Sequence, residues 1–417
     1  MRNLLLTISL HLLTLSQAFT QPLSVPGSAG TTGNFTTQFE GNYFTVLRND
    51  GYAVVGLDGK TVAGGIKAPS NGFFRTLSLY HGTLFADEAG SIVLKKVNGQ
   101  DLGTGKYMQF LPFTTDNTVV RLPSAQGVWI VAYIDTAGKE IVRFDVRKYL
   151  AIAQPLNKSG GFTFLDLSEF LPFSEGLTPI KSRLTGKYGY IDTKLQLILP
   201  VGYSDARPFS DGLAAVRNAD GIWGFINRSG KLVIPYTYSR TPSRFMYGRA
   251  RVQSQDGRFG YINKENVVVI QPKYQTATCF YKGYALVREA WTQPISLIDS
   301  SGAVVASFPK DLIYVDNAGP GPGISGTEQP EYPFYISETL KQLVDEGKGI
   351  FQKGMNYGLM DKTGKTALDF QYGWLSGFHD GKMFAHYSAF INNRTVNKDG
   401  IIDDQGNWLI QISPSQF

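Results

Sequence analysis

The chain has 417 residues, with 18% charged and 13% aromatic side chains, 46 Gly and 20 Pro, and a formal net charge of +6. Low charge, many aromatics and abundant turn formers fit short strands joined by tight turns, and 42% apolar residues exclude a globally disordered chain. The small positive excess is scattered, with no run of five Lys or Arg, which argues against a nucleic-acid partner.

The first element is an address. Arg2 precedes an apolar run from Leu4 to Leu15, and Ser16-Gln17-Ala18 places small residues at −3 and −1 of a cut after Ala18. This pattern predicts a signal peptide over 1–18 and an extracytoplasmic protein, secreted or periplasmic. The run is too short for a stable membrane insertion. Residues 19–38, rich in Gly, Ser, Thr and Pro, read as a flexible lead-in.

Residues 39–169 carry a degenerate repeat. Ala132-Tyr133-Ile134-Asp135 fits it well, whereas 53–59 and 84–90 fit weakly. Residues 170–310 show it clearly. Gly189-Tyr190-Ile191-Asp192, Gly224-Phe225-Ile226-Asn227 and Gly260-Tyr261-Ile262-Asn263 lie 35 and 36 residues apart, each after an aromatic residue. Ser296-Leu297-Ile298-Asp299 keeps the pattern without its glycine. A unit opens on an aromatic with Gly three residues on, as in Phe209 to Gly212. It continues as a strand over 213–217, a polar tip over 218–221, a second strand over 222–227 and a third over 231–235.

Asp or Asn followed three residues later by Gly, as in Asn227 to Gly230, marks the turn after the second strand. Asn266 replaces that Gly as the next-best left-handed residue, and Leu195 is expected to make its hairpin differ locally. Pro200, Pro235 and Pro272 are expected to end the third strands, since proline has no N–H for the ladder. Residues 311–345 interrupt the period with a Gly-Pro-rich loop and a short helix, capped by Ser337 and stopped at Gly347. Residues 346–417 return to the repeat, with Gly358 and Gly400 in the glycine position.

Five features recur in order: aromatic-Gly-aromatic-Ile-Asp, a turn, a Val/Ile-rich strand with Pro, a Tyr and Phe-x-x-Gly. Together they resemble the WG repeat family of bacterial proteins, with the Trp-Gly pair itself at Trp223-Gly224. The resemblance implies β-rich repeats with interaction roles and no catalytic residues. The expected fold is all-β, a tandem array of about nine three-stranded antiparallel meanders, either a propeller-like ring or an open superhelical array.

Chemistry-bearing patterns are sparse. Beyond residue 18 there are three histidines and one cysteine, Cys279, and no spacing of a metal site or nucleophile elbow. No catalytic residue, metal or cofactor is expected. The expected role is binding a protein, peptide or glycan. A propeller-type glycan hydrolase and a structural envelope component are the rivals. Trp291 and Trp374 fall outside the repeat's aromatic positions and are the candidate ligand contacts. Trp291 sits at a hairpin tip, and Trp374 replaces a smaller residue in a connection between units.

Overall fold

The computed structural model describes residues 43–48, 51–56, 60–68, 79–80, 82–111, 113, 116–124, 130–145, 170–182, 185–314, 337–391 and 394–412. The signal peptide and lead-in lie outside them. The described residues build nine antiparallel sheets, each a meander made from one continuous stretch of chain. The first spans 43–66, the second 79–107, the third 109–145, the fourth 177–203 and the fifth 205–238. The sixth spans 250–274, the seventh 276–308, the eighth 312–372 and the ninth 374–412.

Three sheets have three strands, as expected, and six have four. The extra strand is a short leader drawn from the connection between units. In the fifth sheet Asp205–Ala206 pairs with the first strand, Leu213–Arg217. The ladder then runs through the second strand, Trp223–Asn227, to the third, Leu232–Tyr238. The weak alignment of 84–90 is out by one strand: Thr83–Glu88 is the first strand of the second sheet, and Ser91–Lys96 the second. At the head of the expected insertion Leu312–Tyr314 leads the eighth sheet. The helix α1 follows over Glu338–Asp345. The Ser337 side chain accepts from Leu340 N at its start, and Gly347 adopts φ +76° beyond its end.

Phe-x-x-Gly is a two-residue hairpin turn. Glu175-Gly176, Asp211-Gly212, Tyr247-Gly248 and Lys282-Gly283 all take positive φ at both central residues, the pairing that matches strand twist. Each turn drives the preceding aromatic into the core, so Phe209, Phe245 and Phe280 are buried. The turns are also tied from unit to unit. Ser174 and Ser210 hydroxyls donate to the carbonyls of Phe209 and Phe245, each at 2.6 Å. Gly248 N donates to the Asp211 carboxylate at 2.7 Å. At the eighth sheet α1 stands in for this turn: Leu340 and Leu343 fill the core, and Asp345 accepts from Tyr281 Oη and Lys282 Nζ at 2.7 and 2.8 Å.

The turn after the second strand follows its predicted mechanism. In the fifth sheet Asn227 Oδ1 accepts from Ser229 N and Lys231 N. The same pair of bonds recurs at Asp135, Asp192, Asn263, Asp299, Asp361 and Asp403. Leu195 is no exception, contrary to expectation. It takes φ +62° like Asn266, and Asp192 keeps both bonds. Both residues use their side chains on the preceding unit, which offsets the left-handed strain. Leu195 packs on the core between the third and fourth sheets, and Asn266 Oδ1 accepts from Tyr238 Oη at 2.6 Å.

Proline does not end the third strand, a second correction. Strands Leu197–Tyr203, Leu232–Tyr238 and Val268–Tyr274 run past Pro200, Pro235 and Pro272. The proline lies in a bulge, where its missing N–H breaks no ladder bond. In the fifth sheet Phe225 pairs with Ile234 and Trp223 with Tyr238, so four steps on one strand face two on the other. The fourth, sixth and eighth sheets repeat this register.

The bulge explains the repeat's glycine. A Cβ on Gly189, Gly224, Gly260 or Gly358 would lie 2.6–2.7 Å from a carbonyl oxygen of the third strand. Where the glycine position holds Ser296 or Ala132, the strands pair straight through it, with Ser307 and Arg143 opposite. Gly400 also pairs straight through, with Gln411, and there glycine suits the backbone itself, which takes φ +154°.

Eight hydrophobic clusters each join two consecutive sheets, from first to ninth. Alternate residues of the inner strands face opposite neighbours. Ala215, Trp223 and Phe225 pack towards the sixth sheet, and Ala214, Val216 and Ile226 towards the fourth. A single meander buries no core of its own, so each sheet depends on its immediate neighbours for stability. The terminal sheets are not bare on their outer faces, because Ala53, Val55 and Ile401 are also buried. Among the described residues no cluster joins the ninth sheet to the first.

Buried tyrosines add polar ties between units. Tyr190 Oη donates to Arg207 O at 2.7 Å and Tyr261 Oη to Thr278 O at 2.6 Å, each reaching the next sheet. Burial pushes both phenols well above their ordinary pKa, so they stay protonated donors. Tyr261→Phe leaves Thr278 O without this donor, and its unfolding free energy is expected to fall by about 1–2 kcal/mol in denaturant titration. An unchanged midpoint would show that the tie contributes nothing.

Candidate functional site

The seventh sheet departs from the repeat at two places that lie together. Its second strand, Ile295–Asp299, carries Ser296 in the glycine position, and its third strand, Val304–Phe308, lacks the two-residue bulge. In the fourth, fifth, sixth and eighth sheets that bulge folds over the glycine. Here Ser296 and Ser307 border a cavity of about 290 Å³ between the sixth and seventh sheets. Its walls come from Lys273 and Tyr274 of the sixth sheet's third strand, and from Val287, Ser296, Ile298, Val304 and Ser307 of the seventh.

The remaining wall is the tip between the first and second strands, which supplies Glu289, Gln293 and Pro294. Trp291 stands on this tip. It is 62% exposed, its backbone N–H donates to Gln275 Oε1 at 3.0 Å, and its ring lies 5.6 Å from the Arg288 guanidinium. Arg288 is buried and donates through Nη2 to Leu312 O; burial lowers its pKa, but an arginine stays charged. The tip is thus anchored from below while the indole remains in water, an arrangement with an energetic cost unless a ligand covers it.

Charge at the cavity is balanced. Lys273 Nζ and a Glu289 carboxylate oxygen are 2.6 Å apart, and the carboxylate holds the ammonium above its usual pKa. Lys273 also lies 5.1 Å from the Tyr274 ring. Among the described residues the side chains of Gln293, Ser296 and Ser307 have no protein hydrogen-bond partner, so their donors and acceptors are open to a ligand. The arrangement is a polar recess whose two charged lining side chains, Lys273 and Glu289, are paired, with one aromatic platform beside it.

The other sequence candidate lies elsewhere. Trp374 lies in the connection after Tyr372, which here forms the leader strand of the ninth sheet, Trp374–His379; it pairs with His386 and is half-buried. The structure does not bring the two tryptophans together. Trp223 is a core residue, as its repeat position implies. Cys279 is half-buried. Among the described residues no three His, Cys, Asp or Glu side chains gather as a metal site would require. No helix among them is long and apolar enough to cross a membrane. The tip position of Trp291 is legible in the sequence, whereas the cavity is not. The nearest signal in the chain is Ser296, the position where the repeat glycine is lost in the same unit.

Stacked antiparallel meanders joined by inter-sheet cores define a tandem β-repeat protein. Four stretches match the WG containing repeat family: residues 188–221, 223–258, 259–289 and 357–385. They begin at Tyr188, Trp223, Phe259 and Tyr357, the aromatics before the four glycines that lie under a bulge. No curated protein matches the chain. Among solved structures it is similar to BamB from Moraxella catarrhalis, at 11% identity over 69% of this chain and 91% of that one, TM-score 0.31. It is also similar to Kluyvelomyces marxianus Hsv2, at 10% identity over 79% and 96%, TM-score 0.31. A third similarity is to PorZ of Porphyromonas gingivalis, at 9% identity over 82% and 44%, TM-score 0.30.

Proposed function

We propose that this chain is an exported, non-catalytic interaction protein that takes a protein, peptide or glycan ligand at the cleft of its seventh sheet. One observation carries the reading: the polar recess and the exposed Trp291 belong to the same tip, in a unit that lacks the repeat's bulge. WG repeats on both sides supply a rigid frame, which suits recognition better than a site on mobile loops. Hydrolysis of a glycoside calls for two carboxyl groups across the bond, and one of the cavity's lining residues is a carboxylate, Glu289, already paired with Lys273.

The test is to probe a glycan array and an immobilised-peptide array with the purified chain and with Trp291→Ala. Binding at least tenfold weaker in the variant, at an unchanged melting temperature, is the expected result. Trp374→Ala should bind as the wild type does. Turnover of any substrate in a glycoside panel would overturn the non-catalytic reading, and full binding by Trp291→Ala would overturn the site.

A further inference from the structure

Resting on that reading of the cleft, we infer that its ligand is a neutral hexopyranose unit of a glycan, held edge-on in the recess with one face stacked on Trp291. The argument begins with the wall chemistry. Gln293, Ser296 and Ser307 offer donors and acceptors without protein partners among the described residues, and the Lys273–Glu289 pair adds a donor and an acceptor at the same wall. An apolar side chain entering here would desolvate all of these groups and pair none, which is unfavourable for each one. A sugar ring meets them with hydroxyls, each both donor and acceptor.

Charge narrows the class. Lys273 and Glu289 compensate each other at 2.6 Å, and the Arg258 guanidinium beside them donates to their backbone carbonyls, so the lining offers no unpaired charge to a uronate, sulfate or phosphate. Arg288 is turned inward to Leu312 O and lies beside the indole, so it polarises the platform and does not serve as an anion site. The indole supplies what hydroxyls cannot match, an apolar plate for the C–H face of a pyranose. A cavity of about 290 Å³ has room for a pyranose ring.

The experiment is titration of the full chain with neutral tetrasaccharides built on glucose, galactose and N-acetylglucosamine, and with a polygalacturonate fragment and a heparin fragment as acidic probes. Trp291→Ala, Gln293→Ala, Ser307→Ala and the cavity-filling Ser296→Leu are compared. At least one neutral tetrasaccharide should bind. Binding should fall tenfold or more in Trp291→Ala and Ser296→Leu, and severalfold in Gln293→Ala and Ser307→Ala. The two alanine variants at the wall keep the test valid if Ser296→Leu fails to fold.

Acidic fragments or array peptides that bind instead, and lose binding in Trp291→Ala, would overturn the sugar class while leaving the cleft as the site. Neutral sugars that bind equally to all four variants would overturn both. No binding by any neutral tetrasaccharide would overturn the inference alone.

Discussion

Gly260→Ala is expected to destabilise the array by about 2–4 kcal/mol, read as a loss of midpoint in denaturant titration. The added Cβ would sit 2.6 Å from both Ile270 O and Pro272 N, and these are backbone atoms that no rotamer change moves aside. Relief requires the bulge at Pro272 to open and the third strand to re-register. That would pull Ile270 and Tyr274 from the core shared with the seventh sheet. Gly224→Ala should behave alike, with its Cβ 2.7 Å from Ile234 O. Ser296→Ala is the control. That position pairs directly with Ser307 without a bulge, so the change should stay within about 0.5 kcal/mol. Similar losses at 260 and 296 would refute the link between glycine and bulge.

Phe245→Ala should produce a comparable or larger loss, about 3–5 kcal/mol. Phe245 is fully buried between the fifth and sixth sheets, its ring 4.9 Å from Phe225, with Ile234, Val252 and Ile262 around it. The ring comes from the turn of one unit and fills the core of the interface with its predecessor, so truncation empties that interface. Because neighbouring sheets contribute to stability chiefly through such interfaces, hydrogen exchange should rise first in residues 213–262. Uniform acceleration along the whole chain would show that the array unfolds as one block.

Much of this fold is legible in the chain because the repeat samples each rule several times. The Asp/Asn turns are specified by local bonds from residue i to the N–H groups at i+2 and i+4, so sequence suffices for them. The strand around Pro235 is different. Its proline breaks a local rule, and what saves the strand is Gly224 on the partner strand, a contact visible only once both are paired. Leu195 misleads for a similar reason: its left-handed strain is local, but its compensation is packing against the unit before.

The leader strand Asp205–Ala206 is too short to carry a period of its own. At the site, Trp291 stands out because aromatic residues at hairpin tips are unusual. The cavity beneath it does not, because its walls come from side chains of the sixth and seventh sheets that only strand pairing and stacking bring together.

The most direct measurement is therefore ligand affinity after the bulge of the sixth sheet is built into the seventh. In this variant residues 303–308 are replaced by the sequence of residues 267–274, together with Ser296→Gly. The design fills the cleft with the packing of the sixth sheet and leaves Trp291 in place. Equilibrium binding to the ligand selected on the arrays should fall at least a hundredfold, with the melting temperature kept or raised. Undiminished affinity in a folded variant would contradict the claim that the cleft of the seventh sheet is where this protein binds.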